Sequence, residues 1–352
     1  MTNIEFKLGL LASSKLLSLK NKLTQMSHED YGLYLKSLRL ENLDFLHLII
    51  YPNLKLPIPT ETILEYKREK ILNEEYKKII VRLRTTISHK TIIFFKGLLN
   101  DRLIGHTSYK RRSDIDLLIF SDFRKTLQSI SNSLDCDFIK MQNYGEFTLK
   151  TPQGSRIDVH YNLLSSTPFV FKYKLLKGLL SNTSTCHVDD TEVLVFNIEF
   201  TLIYQIIHFA IQHSFSEFIL LFEISEIIKK NQEKINIDYF IKLIHTHNVE
   251  LPVSLVFLIL EDKVEYNFFQ NKKIKSLLRS NEDKLKLSKE RIEKNLFQGT
   301  KDSKFNLNHM LSENFRNILL NYLRTAYLYL YKLTFYSRKN SVQKIISIKK
   351  KR

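Results

Sequence analysis

Apolar positions repeat at helical spacing over most of the chain and at strand spacing over one stretch near its middle. The leucine-rich runs LGLLASSKLLSLKNKL (8–23) and YGLYLKSLRLENLDFLHLII (31–50) predict two or three helices across residues 5–50. YPNLKLPIP (51–59) holds three prolines and reads as a loop or linker. Residues 60–88 predict one long, strongly charged helix. TIIFF (91–95) is then short, β-branched and aromatic, and reads as a buried strand followed by Lys96-Gly97 and a helix over 98–105. DIDLLIF (114–120) predicts a second strand. SDFRKTLQSISNSL (121–134) predicts a helix capped by Ser121 or Asp122. DFIKMQ (137–142), EFTLKT (146–151) and, after the turn PQG, SRIDVHYNL (155–163) predict three more strands. Beyond about residue 190 the pattern is helical again. EFTLIYQIIHFAIQHSF (199–215) is apolar nearly all round and predicts a buried helix, with further helices at 217–230, 237–247, 252–261 and 313–336.

The chain therefore reads as α+β, a small mixed or antiparallel sheet embedded between helical regions. The boundaries expected are a helical region over 1–88, the α+β core over 89–165, a second helical region over 166–336 and a basic tail over 337–352. Only 8 glycines and 6 prolines among 352 residues agree with a helix-rich protein.

The strands carry the chemistry. Side chains alternate across a strand, so Asp114 and Asp116 share one face, and Ile115, Leu117 and Ile119 share the other. In RIDVH, Ile157 and Val159 face the core, and Arg156, Asp158 and His160 face away. If the two strands are neighbours, three carboxylates meet on one sheet face. Their charged forms are costly there unless a cation compensates them, and one or two Mg²⁺ ions would do so. The alternative is that the aspartate pair caps a turn or pairs with Arg111 and Arg112. Upstream, Gly97 lets the backbone turn sharply beside a ligand, and Lys96 adds a cation. Arg111 and Arg112 can neutralise triphosphate oxygens, with Ser113 as a further donor, or form a solvated basic loop. His160 either supports a metal-binding carboxylate from behind or caps its strand. His208 and His213, five apart on a helix, are expected on different faces, as core or pocket-lining side chains and not as a zinc site.

Charge points to anionic partners. The formal net charge is +17, which favours nucleotides, nucleic acid or an anionic surface, although solvated lysines account for as much of it. Two cysteines, Cys136 and Cys186, build neither a disulfide framework nor a metal site, and a reducing, cytoplasmic compartment is expected. No clear signal peptide and no membrane span are expected.

A strand ending at glycine, a helix, Asp-x-Asp on the next strand and a third aspartate on a later one are similar to the nucleotidyltransferase superfamily related to DNA polymerase β. More closely, FFKG, Y-x-x-R-x-S-D-I-D-L-L-I and R-I-D-V-H resemble a bacterial family of uncharacterised nucleotidyltransferases, over about residues 90–163. Leu98 follows Gly97 where many superfamily members have Ser or Gly. The resemblance implies a nucleotidyltransferase fold over 89–165. It also implies a divalent cation (Mg²⁺ or Mn²⁺), a nucleoside triphosphate as co-substrate, and transfer of a nucleotidyl group, with AMP from ATP as the leading case, to a hydroxyl or phosphate. Asp114, Asp116 and Asp158 would be the catalytic and metal-binding carboxylates. Lys96, Gly97, Arg111, Arg112 and Ser113 would contact the nucleotide. The acceptor is open: a small molecule, peptide or protein is favoured over RNA. The competing readings are a non-catalytic nucleotide- or protein-binding module on the same fold and an RNA-directed nucleotidyltransferase.

Overall fold

The structure, a computed structural model, describes residues 3–12, 15–51, 58–87, 92–105, 109–111, 114–120, 122–142, 146–161, 163, 178–213 and 215–298. The expected helix at 313–336 and the basic tail lie outside them.

Four helices open the chain: α1 (Asn3–Leu11), α2 (Leu16–Thr24), α3 (His28–Leu40) and α4 (Asp44–Ile50). The long helix α5 (Thr60–Thr86) leads to β1 (Ile92–Phe95), α6 (Gly97–Ile104), β2 (Asp114–Ile119) and α7 (Phe123–Leu134). Strands β3 (Asp137–Gln142), β4 (Glu146–Lys150) and β5 (Arg156–His160) follow, then the hairpin β6 (Thr183–Val188) and β7 (Thr191–Phe196). The remaining helices are α8 (Ile198–Ile207), α9 (Phe218–Asn231), α10 (Ile237–His247), α11 (Glu250–Glu261), α12 (Asn267–Gln270), α13 (Lys272–Arg279) and α14 (Glu282–Gln298).

Two compact units emerge, neither contiguous in sequence. One takes the chain up to Lys70, Asp101–Arg111 and the helices from Ile198 on; the other takes Ile71–Asn100 and Arg112–Asn197. The sequence had placed boundaries at 88 and 165, and had put the first and last helices in separate regions.

The second unit is built on a mixed seven-stranded sheet of order β3-β4-β5-β2-β1-β7-β6. Its centre pairs β1 with β2 antiparallel and β2 with β5 parallel. Alternation sorts the side chains as expected. Phe94, Ile115, Leu117, Phe147, Leu149, Ile157 and Val159 form one buried cluster with Tyr76, Ile80 and Leu83 of α5 and Leu127, Ile130 and Leu134 of α7. Burying each such side chain contributes roughly 1.5–3 kcal/mol, so the apolar face fixes the sheet and leaves its other face for polar chemistry. Of the two expected caps, Asp122 is the one that caps α7, accepting from the Lys125 amide at 3.3 Å. The β6–β7 hairpin was not expected.

The other unit is helical. Every residue of α8 after Ile198 is buried, as its nearly all-round apolar sequence predicts. Lys7, also buried, donates to the Leu296 carbonyl at 2.6 Å and pairs with Glu41. Within the described residues no helix is long and apolar enough to cross a membrane.

Candidate functional site

The apolar cluster turns the acidic residues of β2 and β5 to the opposite face. The parallel register pairs Asp114 with Arg156, Asp116 with Asp158 and Leu118 with His160. Asp116 and Asp158 are thus cross-strand neighbours, and Asp114 stands one pleat along on the same face. The antiparallel neighbour β4 sets Thr148 opposite Asp158 and Glu146 opposite His160.

Each carboxylate has a distinct environment. Asp116 is nearly buried, and its Oδ1 accepts from Lys96 Nζ at 3.1 Å and faces His160 Nε2 at 3.0 Å. Burial alone would raise this carboxyl. The Lys96 ammonium and the His160 hydrogen bond outweigh burial and hold it down at about 2. Asp158 is buried too. Its Oδ1 accepts from the Thr148 hydroxyl at 2.6 Å, and Arg156 lies 3.6 Å from Oδ2. Burial pushes Asp158 up to about 7; repulsion from Asp114, Asp116 and Glu146 adds to this, and the Thr148 bond opposes it.

The raised Asp158 has a consequence for stability. Its folded-state pKa exceeds the unfolded value, so it favours folding below about pH 4, and that contribution is lost as pH rises through about 7. In chelator-treated protein at pH 8, Asp158→Asn should be about 4 kcal/mol more stable than wild type, and at pH 4 about equal. Thermal melts at the two pH values measure this. Identical melting at pH 8 would show that Asp158 is not held against neighbouring charge.

Lys96 owes its position to backbone geometry. It and Gly97 are successive left-handed residues, with φ 58° and 47°, that turn the chain from β1 into α6. Glycine adopts this conformation without penalty; for Lys96 it costs roughly 1–2 kcal/mol. The return is that the ammonium meets Asp116, whose Cα pairs with that of Phe95 in the adjacent strand.

Arg111 goes elsewhere. Its guanidinium forks onto Asp44 at 2.7 and 2.6 Å, reaches Glu65 at 2.8 Å and Asn42 at 3.1 Å, and sits over the Phe45 ring. Tyr109 donates to Glu223 at 2.8 Å and Lys110 pairs with the same carboxylate. The run Tyr109-Lys110-Arg111 is therefore an anchor within the helical unit. This corrects the phosphate-partner reading of Arg111: its fork is saturated by carboxylates. Arg112 and Ser113 lie outside the described residues.

Glu146 was missed from sequence, although the alternation used for RIDVH applies equally to EFTLK. Phe147 and Leu149 face the core, so Glu146 and Thr148 must face the aspartates. Glu146 Oε2 lies 3.9 Å from His160 Nδ1. One expectation is overturned in the helical unit. His208 and His213 were expected on different faces, yet their rings are 4.5 Å apart. The turn His208–Gln212 is π-helical, with the His213 amide bonded to the His208 carbonyl at 3.2 Å, so a five-residue spacing completes one turn. His213 also meets Glu217 at 2.6 Å.

Asp114, Asp116 and Asp158 offer only carboxylate oxygens, a donor set that suits Mg²⁺ or Mn²⁺, and the raised Asp158 marks an excess of negative charge that a divalent cation would relieve. Among the described residues no three His, Cys, Asp or Glu side chains close around a cation. A cation shared with nucleotide phosphates needs only one or two protein carboxylates. At the far end of β2 and β5, Leu118, Ile119, Phe120, Tyr161, Leu179 and Leu180 line a largely apolar cavity of about 490 Å³.

The crystal structure of an antigenic nucleotidyltransferase-like protein from Paracoccidioides brasiliensis is similar to the chain at 15% identity, covering 58% of this chain and 96% of its own, with a TM-score of 0.29, too loose a superposition to carry an argument. No curated protein matches the chain. The sequence model of the family described as "Uncharacterised nucleotidyltransferase" matches residues 52–263, more than half of the chain and all of the carboxylate-bearing sheet. The chain belongs to this uncharacterised nucleotidyltransferase family.

Proposed function

We propose that the protein is a metal-dependent nucleotidyltransferase that moves an NMP, in the leading case AMP from ATP, to a hydroxyl or phosphate of an acceptor. The observation that supports it most is the alignment of Asp116 with Asp158 across the β2–β5 pair, with Asp114 on the same face. In the reaction the acceptor oxygen bonds to the α-phosphorus, the bond to the departing pyrophosphate breaks, and the acceptor proton must go to a base. Asp158 is suited to receive it, since burial and its acidic neighbours raise its proton affinity above that of Asp116. Asp114, Asp116 and Asp158 would hold Mg²⁺ or Mn²⁺, which would neutralise charge on the transferred phosphoryl group and orient the attacking oxygen. Lys96, beside the left-handed turn at Gly97 and bonded to Asp116, would meet the phosphates, with Arg112 and Ser113 as further candidates. His160 braces Asp116 through Nε2.

The acceptor classes are small molecules, peptides and proteins; the net charge of +17 keeps RNA among them. The test is incubation with nucleoside triphosphates labelled at the α-phosphate, with Mg²⁺ or Mn²⁺ and pooled acceptors of each class. Label transfer with release of pyrophosphate is expected. Nucleotide binding in calorimetry without transfer to any acceptor would favour the non-catalytic module, and no nucleotide binding would overturn the reading.

A further inference from the structure

Lys96 has two claims on it. The proposed reaction, on which this inference rests, gives its ammonium to the nucleotide phosphates, yet in the structure the ammonium is bonded to Asp116 Oδ1 at 3.1 Å. Both side chains are largely enclosed, at 17% and 10% exposure. The same oxygen faces His160 Nε2 at 3.0 Å, and Lys96 also lies over the Phe95 ring at 5.3 Å. The left-handed backbone at Lys96, φ 58°, aims the side chain there at a conformational cost. A contact maintained against strain and inside a nearly buried site is specific in a way that a surface ion pair is not.

We infer that Lys96 is an internal competitor for the divalent cation: its ammonium holds the Asp116 carboxylate and moves onto the nucleotide phosphates when the cation arrives with the nucleotide. Two positive groups cannot share Oδ1 without strong repulsion at this separation and burial. A lysine can make the exchange because its charge is a compact point on a four-carbon stem, retargeted by rotation about single bonds; a forked guanidinium fixed by planar geometry could not do so as readily. The carboxylates would then bind a bare cation weakly and a cation–nucleotide complex strongly, coupling the two ligands. Reciprocity requires each to strengthen the other by the same factor.

The test uses the full chain and Mn²⁺, read by its paramagnetic resonance signal and by calorimetry, first without nucleotide. Lys96→Met and Lys96→Gln should bind Mn²⁺ about tenfold tighter than wild type, and Lys96→Arg should not. With a non-hydrolysable nucleoside triphosphate analogue present, the order should reverse, Lys96→Met binding the Mn²⁺ complex about tenfold more weakly. Asp114→Asn is the control for the site itself, and melting curves certify that each variant is folded. If Asp114→Asn loses Mn²⁺ but Lys96→Met and Lys96→Gln bind it no better than wild type, the inference fails and the proposed function stands. If none of these proteins binds Mn²⁺, both fall. Binding that appears only once Lys96 is replaced supports the inference.

Discussion

Asp114→Ala and Asp116→Ala are each expected to reduce nucleotidyl transfer about a thousandfold or more, because removal of one charged group from such a site forfeits stabilisation that appears mainly as phosphoryl charge redistributes. The two substitutions differ in what they leave behind. Asp114 is partly exposed at the start of β2, so its loss should leave the melting temperature within a few degrees of wild type. Asp116 is nearly buried between Lys96 and His160, and alanine would strand both of those partners. Asp116→Asn is therefore the cleaner companion: it retains an oxygen for the same contacts while removing the charge. Transfer measured with the α-labelled nucleotide, next to thermal melts of the same preparations, separates chemistry from folding. An Asp114→Ala preparation that is folded and keeps its rate would remove Asp114 from the catalytic assignment.

Arg111→Ala should be the most destabilising single change within the basic run, by about 3–5 kcal/mol, because it leaves a buried carboxylate uncompensated. Asp44 is 1% exposed at the start of α4, and Arg111 supplies it with two parallel hydrogen bonds. Arg111→Lys should recover only part of this loss, since an ammonium cannot reproduce the fork. The double variant Asp44→Asn with Arg111→Met should be more stable than Arg111→Ala alone, because neither charge remains buried. Urea unfolding of the four proteins decides it. The phosphate-partner reading makes the opposite forecast for Arg111→Ala: unchanged stability and a weaker apparent affinity for nucleotide. A loss below 1 kcal/mol with a raised KM would restore that reading.

The acidic sheet face was legible in the sequence because it depends on a local rule. A strand has two faces, and where Ile115, Leu117, Ile157 and Val159 must go inward, Asp114, Asp116 and Asp158 have no other place to stand. The nearly all-round apolar helix α8 and a cap at Ser121 or Asp122 were legible because they too depend on local rules. What could not be read depends on residues distant in the chain. Arg111 takes its partners from 46 and 67 positions upstream. No local pattern announces Asp44 as a buried acid. The hairpin β6–β7 was hidden by composition: Thr183–Val188 is an edge strand whose side chains are mostly not buried, so its sequence lacks an apolar stripe. Its one signal was Asp189-Asp190, a two-residue turn with Asp189 at φ 48°. The histidine pair was misjudged because a π-helical turn changes the period on which face arguments rest.

The interleaving of the two units also constrains how the molecule is made. During synthesis the sheet lacks β7, the parallel neighbour of β1, until Phe196 has left the ribosome, about a hundred residues after β1 itself. The helical unit waits longer, because Lys7 finds its carbonyl at Leu296, 289 positions on. The first four helices can pack on one another as they emerge, but α1 must wait for α9 and α14 while the whole carboxylate-bearing sheet is translated. The sheet can mature first, and the nascent helices are the part with reason to meet a chaperone.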